Sequence, residues 1–522
     1  MVLFHLDNKD NLSLTKFKID AFGRGRSIMI KSISFKNYKA FKELSNLNFK
    51  PITILCGTNS CGKSSIMQSL LLLKQTMESQ SPNQFLLLNG RFVHLGSFDN
   101  IIYRKDPNNQ LEFSFSFSIS REETKGRDFP FNLFFQDFFP IHDKKQKQEI
   151  RVQIKLTLKT FNEKKSRYIK PIIIDEWSLT AEASNCLKPA IHYNLKLRSE
   201  DEYIYHWENL EFNNSFLKTG NLIVKVKFAN LFPISVEELK ENNGAHKKEK
   251  VESSFVLRLF SELVQVFLGS LTYIGPLREE PSRRYIYEDE IVEIGIKGEN
   301  AAYIYLSEKD TIIGNHYFYN QSDDTFKIKG RVKLSVAVKE WLNLMNIREF
   351  TPEAQNGIIY LNLDSGALKT RVNIADVGFG VSQIFPIVLE GLRMPKGNTL
   401  LLEQPEIHLH PKLQMQMADY FIALALSNKR VIVETHSDHV INRLVRRIVE
   451  DKQNKLNDLI GIYFIKPTDN GAIYEEIKID ETKGIANWPE EFFDQVAIEQ
   501  EKILRAGIQK RMNLKTKEGF NS

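Results

Sequence analysis

Apolar and polar residues alternate along this chain in two different rhythms. From Ile28, IMIKSISFKNY and SNLNFKPITIL alternate with period two and predict strands of a small sheet. They lead into Ile52–Cys56, a short apolar run that predicts a buried strand. Ser64–Lys74 is rich in helix formers, holds no proline or glycine, and predicts a helix. From about Leu111 to Asn230 the period of two returns in LEFSFSFSI, EIRVQIKLTL, PIIIDEWSL, IHYNLKL and NLIVKVKF. That is the pattern of antiparallel strands with one wet face. No long heptad repeat accompanies it, so a coiled-coil arm is not expected. Residues 236–250, VEELKENNGAHKKEK, read as a solvated linker or loop, and Ser254–Leu268 and Leu334–Met345 read as helices. Near the C-terminal end, TLLLEQPE (Thr399–Glu406) is an apolar strand ending in a carboxylate. His410-Pro411 then opens a helix of about four turns, with proline tolerated at the first helical position. Arg430–Glu434, RVIVE, is another buried strand. Strand, helix and strand in that order imply a right-handed crossover and parallel pairing.

At 522 residues the chain is long enough for two or three domains. Its 71 basic and 65 acidic residues leave a net charge of +6, which permits nucleic-acid binding without arguing for it. Three cysteines, Cys56, Cys61 and Cys186, without metal-ligand spacing point to a reducing compartment. No apolar run approaches bilayer length, and the N-terminus lacks a signal-peptide pattern, so a cytoplasmic protein without membrane contact is expected.

The chemistry concentrates around the first buried strand. Gly57, Thr58, Asn59, Ser60, Cys61, Gly62, Lys63, Ser64 and Ser65 fit the pattern G-x-x-x-x-G-K-[ST] between a strand and a helix. Such a loop curls its N–H groups around a nucleotide phosphate at the positive end of a helix. Lys63 is expected to face solvent until it reaches the β- and γ-phosphates, and Ser64 to hold Mg²⁺. Cys61 reads as a small residue that fits the turn, with oxidation sensing as the alternative. Glu403, closing the apolar strand, can hold Mg²⁺ through water, and Thr435-His436-Ser437 sits just past the end of RVIVE. Ligands of parallel sheets bind at the carboxyl ends of the strands, where the P-loop, Glu403 and His436 all fall. In DVGFGVSQIFPIVLEGL, Gly378 and Gly380 precede Ser382-Gln383 and a helical run. This is either a second phosphate-binding turn or an ordinary helix capped by Ser382. In YIGPLREEPSRRYIY, Arg278, Arg283 and Arg284 either bind phosphates or pair with Glu279, Glu280 and Glu288.

The order of P-loop, glycine-serine signature, Walker B and switch histidine resembles the ABC-type ATPases of the SMC and OLD (overcoming lysogenization defect) group. NYKAFKE, YIGPLREEP, DVGFGVSQ, LLLEQPEIHLHP and ETHSDHVINRL are similar to motifs of its AAA-type members often encoded in phage-defence operons. The resemblance runs from about Met29 to Trp488. It implies an α/β P-loop NTPase with an ABC/SMC-type core interrupted by a β-rich insertion. It also implies a homodimer or higher oligomer, with ATP between one subunit's P-loop and the other's signature, Gly378 to Gln383. DNA or a separate effector protein, such as a nuclease, would be the partner. The expected division is a 1–28 extension, a 29–110 N-lobe, a 111–250 insertion, a 251–350 helical and arginine-rich connector, and a 351–522 C-lobe.

One departure affects the chemistry. Many members of the group read Asp-Glu-Pro where this chain has Glu403-Gln404-Pro405. Glu403 can replace the aspartate, but Gln404 falls where the usual glutamate activates water and cannot take its proton. Glu406 is the nearest substitute as general base, with His436 as γ-phosphate sensor; otherwise hydrolysis is slow and ATP acts as a clamp. OLD nucleases add a Toprim domain, and no Asp-x-Asp pair follows His436, so no nuclease activity of its own is expected. The alternatives are an ABC transporter subunit, disfavoured by the lack of LSGGQ, and an ATP-locked scaffold with negligible turnover. The segment WPEEFF, Trp488–Phe493, reads as packing on the C-lobe.

Overall fold

The computed structural model describes residues 26–79, 85–106, 108–121, 149–160, 171–183, 191–199, 202–209, 220–242, 245–250, 254–286, 293–364, 370–489, 492–493 and 495–519. Most of the expected N-terminal extension and Cys186 lie outside these residues, while Arg26 opens the first strand.

A six-stranded sheet lies at the centre, in the spatial order Leu271–Ile274, Thr399–Glu403, Arg430–Glu434, Ile52–Gly57, Ile460–Lys466 and Ile473–Glu476. All neighbours pair parallel except the last, which is antiparallel. Alternate residues of each parallel strand enter two different cores, because successive side chains leave a strand on opposite faces. Leu55, Leu401, Ile432 and Ile465 face one core, and Ile54, Leu402, Val433 and Ile462 face the other. Burial on both faces explains why these strands read as unbroken apolar runs.

The P-loop helix, Lys63–Met77, is buried almost all round, including the Leu70–Leu73 run. It shares its core with a second, ten-stranded antiparallel sheet. That sheet runs in the order Ala245–Lys250, Phe232–Asn242, Gly220–Ala229, Glu202–Asn209, Ile191–Ser199, Ile172–Ala183, Glu149–Thr160, Leu111–Arg121, Arg26–Tyr38 and Phe41–Asn48. The β-rich stretch therefore interrupts the central sheet between Ile52–Gly57 and Leu271–Ile274. It is not closed on itself: Leu111–Arg121 pairs along Arg26–Tyr38, with Phe35 opposite Phe113. The expected boundary at residue 110 thus falls inside one continuous sheet.

Two further expectations are corrected. Residues 236–250 are not a linker but most of an edge hairpin, in which Asn242 pairs with Ala245 and Glu237 with Lys250. Val236 is fully buried, and the sequence between the paired residues is Asn243-Gly244, a strong hairpin signal that the charge content obscured. Lysine and glutamate on an outermost strand discourage pairing with another chain. The 251–350 segment is also more than a connector. Its helix Ser254–Gly269 leads into Leu271–Ile274, which joins the central sheet beside Thr399–Glu403. The helix Leu334–Leu344 forms where expected, with Trp341 buried. In WPEEFF, Phe492 packs edge-on against Phe464 of the central sheet, whereas Trp488 is 54% exposed.

Helices Pro411–Leu426 and Asp438–Glu450 follow the second and third strands of the central sheet. A buried ion cluster fastens them together. Asp419, fully buried, accepts from Arg443 at 2.7 and 3.1 Å and from Arg447 at 2.8 Å. Arg447 itself is only 3% exposed. Asp419→Ala takes this acceptor from both arginines, leaving Arg447 with Asp324 and Glu450, and should cost about 3 kcal/mol. A thermal melt should show a loss of several degrees; a melting temperature equal to wild type would contradict the assignment.

Candidate functional site

The parallel register decides which residues meet. Glu403 stands beside Glu434, and Glu434 beside Leu55, so the three strands end together. Their ends are laced by the backbone. The Gln404 N–H donates to the Glu434 carbonyl at 2.7 Å and the Thr435 N–H to the Leu55 carbonyl at 3.0 Å. Gln404 takes a left-handed conformation, φ 43°, to make this turn. The P-loop, Glu403, Gln404 and His436 consequently share one edge.

At that edge the P-loop strand turns at Gly57, φ 148°, and the helix starts after Gly62, φ 108°. A Cβ on Gly57 would lie 2.1 Å from the Ile465 carbonyl oxygen, and one on Gly62 2.8 Å from the Phe41 ring. Both positions need glycine for conformation and for space. Asn59 and Ser60 are exposed, Thr58 and Ser64 half-buried, and Cys61, Lys63 and Ser65 buried. The lysine departs from expectation. It is 3% exposed, and its ammonium donates to the Gly57 and Thr58 carbonyls at 3.2 and 2.6 Å. A nucleotide phosphate has to draw it away from the loop's own carbonyls. Cys61 is buried with its Sγ 3.9 Å from that ammonium, where it fills the turn.

Ser64 Oγ donates to Glu434 Oε1 at 2.8 Å rather than to Glu403. Glu434 is a site residue that the sequence reading passed over. Its signal was present, since a carboxylate closing an apolar strand is the same feature that marked Glu403. Glu403 has other neighbours: the Tyr273 hydroxyl bonds to it, and Lys39 and Arg278 lie close enough to favour its charge. Burial, followed by the nearby Glu434 charge, nevertheless pushes Glu403 up to about 7. Burial also raises Glu434, against the lowering effects of the Ser64 hydrogen bond and the Lys63 charge. Tyr273 and Lys39 became site residues only when Leu271–Ile274 and the turn after Arg26–Tyr38 folded against this edge.

Glu406 lies past the turn. Its Oε1 accepts from the His436 N–H at 2.6 Å, while its Oε2 is buried without a hydrogen-bond partner. Burial is the main cause that holds this carboxyl above its ordinary value. The His436 side chain is exposed, and burial of part of the ring together with the Lys63 charge lowers its pKa, which favours the neutral imidazole.

Arg278 fits neither of its two expected roles. It is 5% exposed and donates to the Glu403 carbonyl at 2.9 Å, the Gln404 carbonyl at 3.1 Å and Gln383 Oε1 at 3.5 Å. It is a clamp on the end of the Walker B strand, tied to the helix Gly380–Arg393. Arg283 pairs with Asp376 at 2.5 Å, just ahead of that helix. Ser382 does not cap the helix; its hydroxyl donates back to the Phe379 carbonyl at 2.8 Å. Ser382 and Gln383 are buried in their own chain, whereas Gly378 and Phe379 are exposed.

The donors present suit Mg²⁺, a hard cation that takes oxygen ligands. Ser64, Glu403 and Glu434 are such donors, and a buried, unpartnered Glu434 Oε2 lies among them. Among the described residues no group of three or more histidine, cysteine or acidic side chains forms a cage for a metal. Phosphate oxygens and water would complete the shell, as Mg²⁺ prefers.

A family model described as an AAA ATPase domain matches residues 29–441. The chain belongs to the AAA ATPase domain family. A second model, described as a protein of unknown function (DUF3696), matches residues 457–503. No curated protein matches this AAA ATPase. Solved structures similar to it include an SmcHead bound to the C-winged helix domain of ScpA, at 12% identity, 87% coverage of this chain, 98% of that chain and TM-score 0.38. The SMC head domain from Thermotoga maritima is similar at 9% identity, with coverage of 86% and 100% and TM-score 0.33. An Smc head domain with an extended coiled coil, bound to the C-terminal domain of ScpA derived from Pyrococcus furiosus, gives 10% identity, 92% and 100% coverage and TM-score 0.35. This AAA ATPase has an α/β fold in which a β-rich stretch interrupts the central sheet. Among its described residues no helix is long and apolar enough to cross a membrane.

The raised Glu403 gives a pH-dependent prediction. An unfolded glutamate ionises near its ordinary value of 4.5, whereas the folded one holds its proton to about 7. The folded state therefore binds more protons in that window, and its stability falls as pH rises through it. Glu403→Gln removes this penalty. It should stabilise the metal-free AAA ATPase by an amount on the order of 2–3 kcal/mol near pH 8, and hardly at all below about pH 4.5. It should also weaken Mg-ATP binding. Melting curves of both proteins across pH check this; a pH-independent difference would contradict it.

Proposed function

We propose that this AAA ATPase binds ATP with Mg²⁺ at the P-loop edge and uses slow hydrolysis as a switch. In that reading the switch acts on DNA or on a separate effector protein in anti-phage defence, as its motif order suggests. When bound, Mg²⁺ neutralises charge on the β- and γ-phosphates. Lys63 leaves the Gly57 and Thr58 carbonyls to hold those phosphates. Glu406 carries the reading of hydrolysis. One of its oxygens is fixed by the His436 N–H, and the other is buried and unpartnered at the end of the Walker B turn. A carboxylate oriented in this way, with its proton affinity raised by burial, suits a general base. Gln404 orients water without taking its proton, and His436 senses the γ-phosphate.

The exposed Gly378 and Phe379 support a composite site in which a second copy closes over the nucleotide. The chain holds one P-loop and one such turn, so the active unit is at least a dimer. Arg278, bridging the Walker B end to Gln383, supports communication between the nucleotide edge and that turn. A second reading, an ATP-held clamp with negligible turnover, is favoured by Gln404 alone.

Single-turnover hydrolysis separates the two. Glu406→Gln should keep ATP binding and slow hydrolysis by about 10²-fold or more, while Gln404→Glu should raise it. If Glu406→Gln hydrolyses ATP at the wild-type rate, Glu406 is not the base and slow hydrolysis oriented by Gln404 gains; negligible turnover in wild type itself favours the clamp.

A further inference from the structure

Glu434 and Glu406 each keep one buried oxygen without a hydrogen-bond partner, but only Glu434 also holds the Ser64 hydroxyl of the P-loop. It closes the strand that lies between the P-loop strand and the Walker B strand. It is 3% exposed. One oxygen accepts the Ser64 hydroxyl at 2.8 Å, and the other, Oε2, is buried with no hydrogen-bond partner. Leaving a buried charged acceptor unsatisfied is costly, so such an oxygen points to a missing cation or donor. Lys63, whose charge acts on Glu434, donates its hydrogen bonds to the loop carbonyls instead. Glu403, by contrast, has the Tyr273 hydroxyl and the Lys39 and Arg278 charges around it.

The Ser64 geometry adds a second constraint. A serine hydroxyl has one proton and two lone pairs. With its proton committed to Glu434, its lone pairs turn away from that carboxylate and are free for a cation. Glu434 thus combines an orienting contact to the hydroxyl with an unneutralised oxygen beside it.

We propose that Glu434 is the carboxylate that holds the nucleotide's divalent cation together with Ser64, fixing the hydroxyl's orientation and supplying the negative charge. This rests on the reading of the P-loop edge as an ATP site. Glu403, its register partner on the next strand out, would add its charge to the same edge.

The test uses the full chain and binding rather than turnover. ATP affinity is measured by calorimetry with saturating Mg²⁺ and again with EDTA, for wild type and Glu434→Gln. Glutamine keeps an acceptor oxygen for Ser64 and removes only the charge. With Mg²⁺ the variant should bind ATP about 10- to 100-fold more weakly than wild type. In EDTA it should bind as well or better, because an anion near the phosphates is gone. A variant that keeps the whole Mg²⁺ advantage of wild type would overturn the proposal while leaving the ATP site intact. Wild type that binds no ATP at all would overturn both. If Glu434→Gln does not fold, Glu434→Asp and Glu434→Asn carry the same comparison. The aspartate should retain part of the Mg²⁺ advantage and the asparagine none; equal affinities in Mg²⁺ would overturn it.

Discussion

Ionised carboxylates crowded at one sheet edge are the constraint on which this structure turns. Glu403 and Glu434 end neighbouring parallel strands in register, and Glu406 follows one turn later. Each is pushed towards its neutral form mainly by burial. The parallel pairing makes the crowding unavoidable, because strands that start and stop together deliver their last side chains to one place. Partial relief comes from Ser64 and the Lys63 charge on Glu434, from the Tyr273 hydroxyl and the Lys39 and Arg278 charges on Glu403, and from the His436 N–H, the Thr435 hydroxyl and the Arg278 charge on Glu406. A cation bound with a nucleotide would add to this relief.

The surroundings hold that edge rigidly. Arg278 grips the carbonyls of Glu403 and Gln404 from below and touches Gln383. The Asp419, Arg443 and Arg447 cluster locks the two helices that leave the carboxylate-bearing strands. On the other face, the P-loop helix is sandwiched between the central sheet and the ten-stranded sheet. Arg278 thus ties the end of Thr399–Glu403 to the helix Gly380–Arg393, which is preceded by the exposed Gly378 and Phe379.

Most of the central sheet was legible because its physics is local. Ile52–Gly57, Thr399–Glu403 and Arg430–Glu434 are unbroken apolar runs ended by glycine or carboxylate, and the glycines of the P-loop are demanded by backbone conformation. What could not be read was long-range. Leu271–Ile274 is four residues long, and only its pairing with Thr399–Glu403 makes it a strand of this sheet. The charged stretch from Val236 to Lys250 resembled solvent-facing loop because an outermost strand carries polar residues on purpose. Arg278 looked like a phosphate or surface arginine, and only the folded chain reveals carbonyls waiting for it. Lys63 looked solvent-facing because the loop carbonyls that hold it are backbone atoms, invisible in a side-chain pattern.

Nucleotide and cation would relieve this edge only together. Thermal stability of wild type with Mg²⁺ alone, with ATP in EDTA, and with both, near pH 8, measures this directly. Little change is expected from either alone, and a shift from the pair larger than the sum of the two, with ATP at about a hundred times its dissociation constant giving ~2.7 kcal/mol. An equal shift from ATP in EDTA would contradict it.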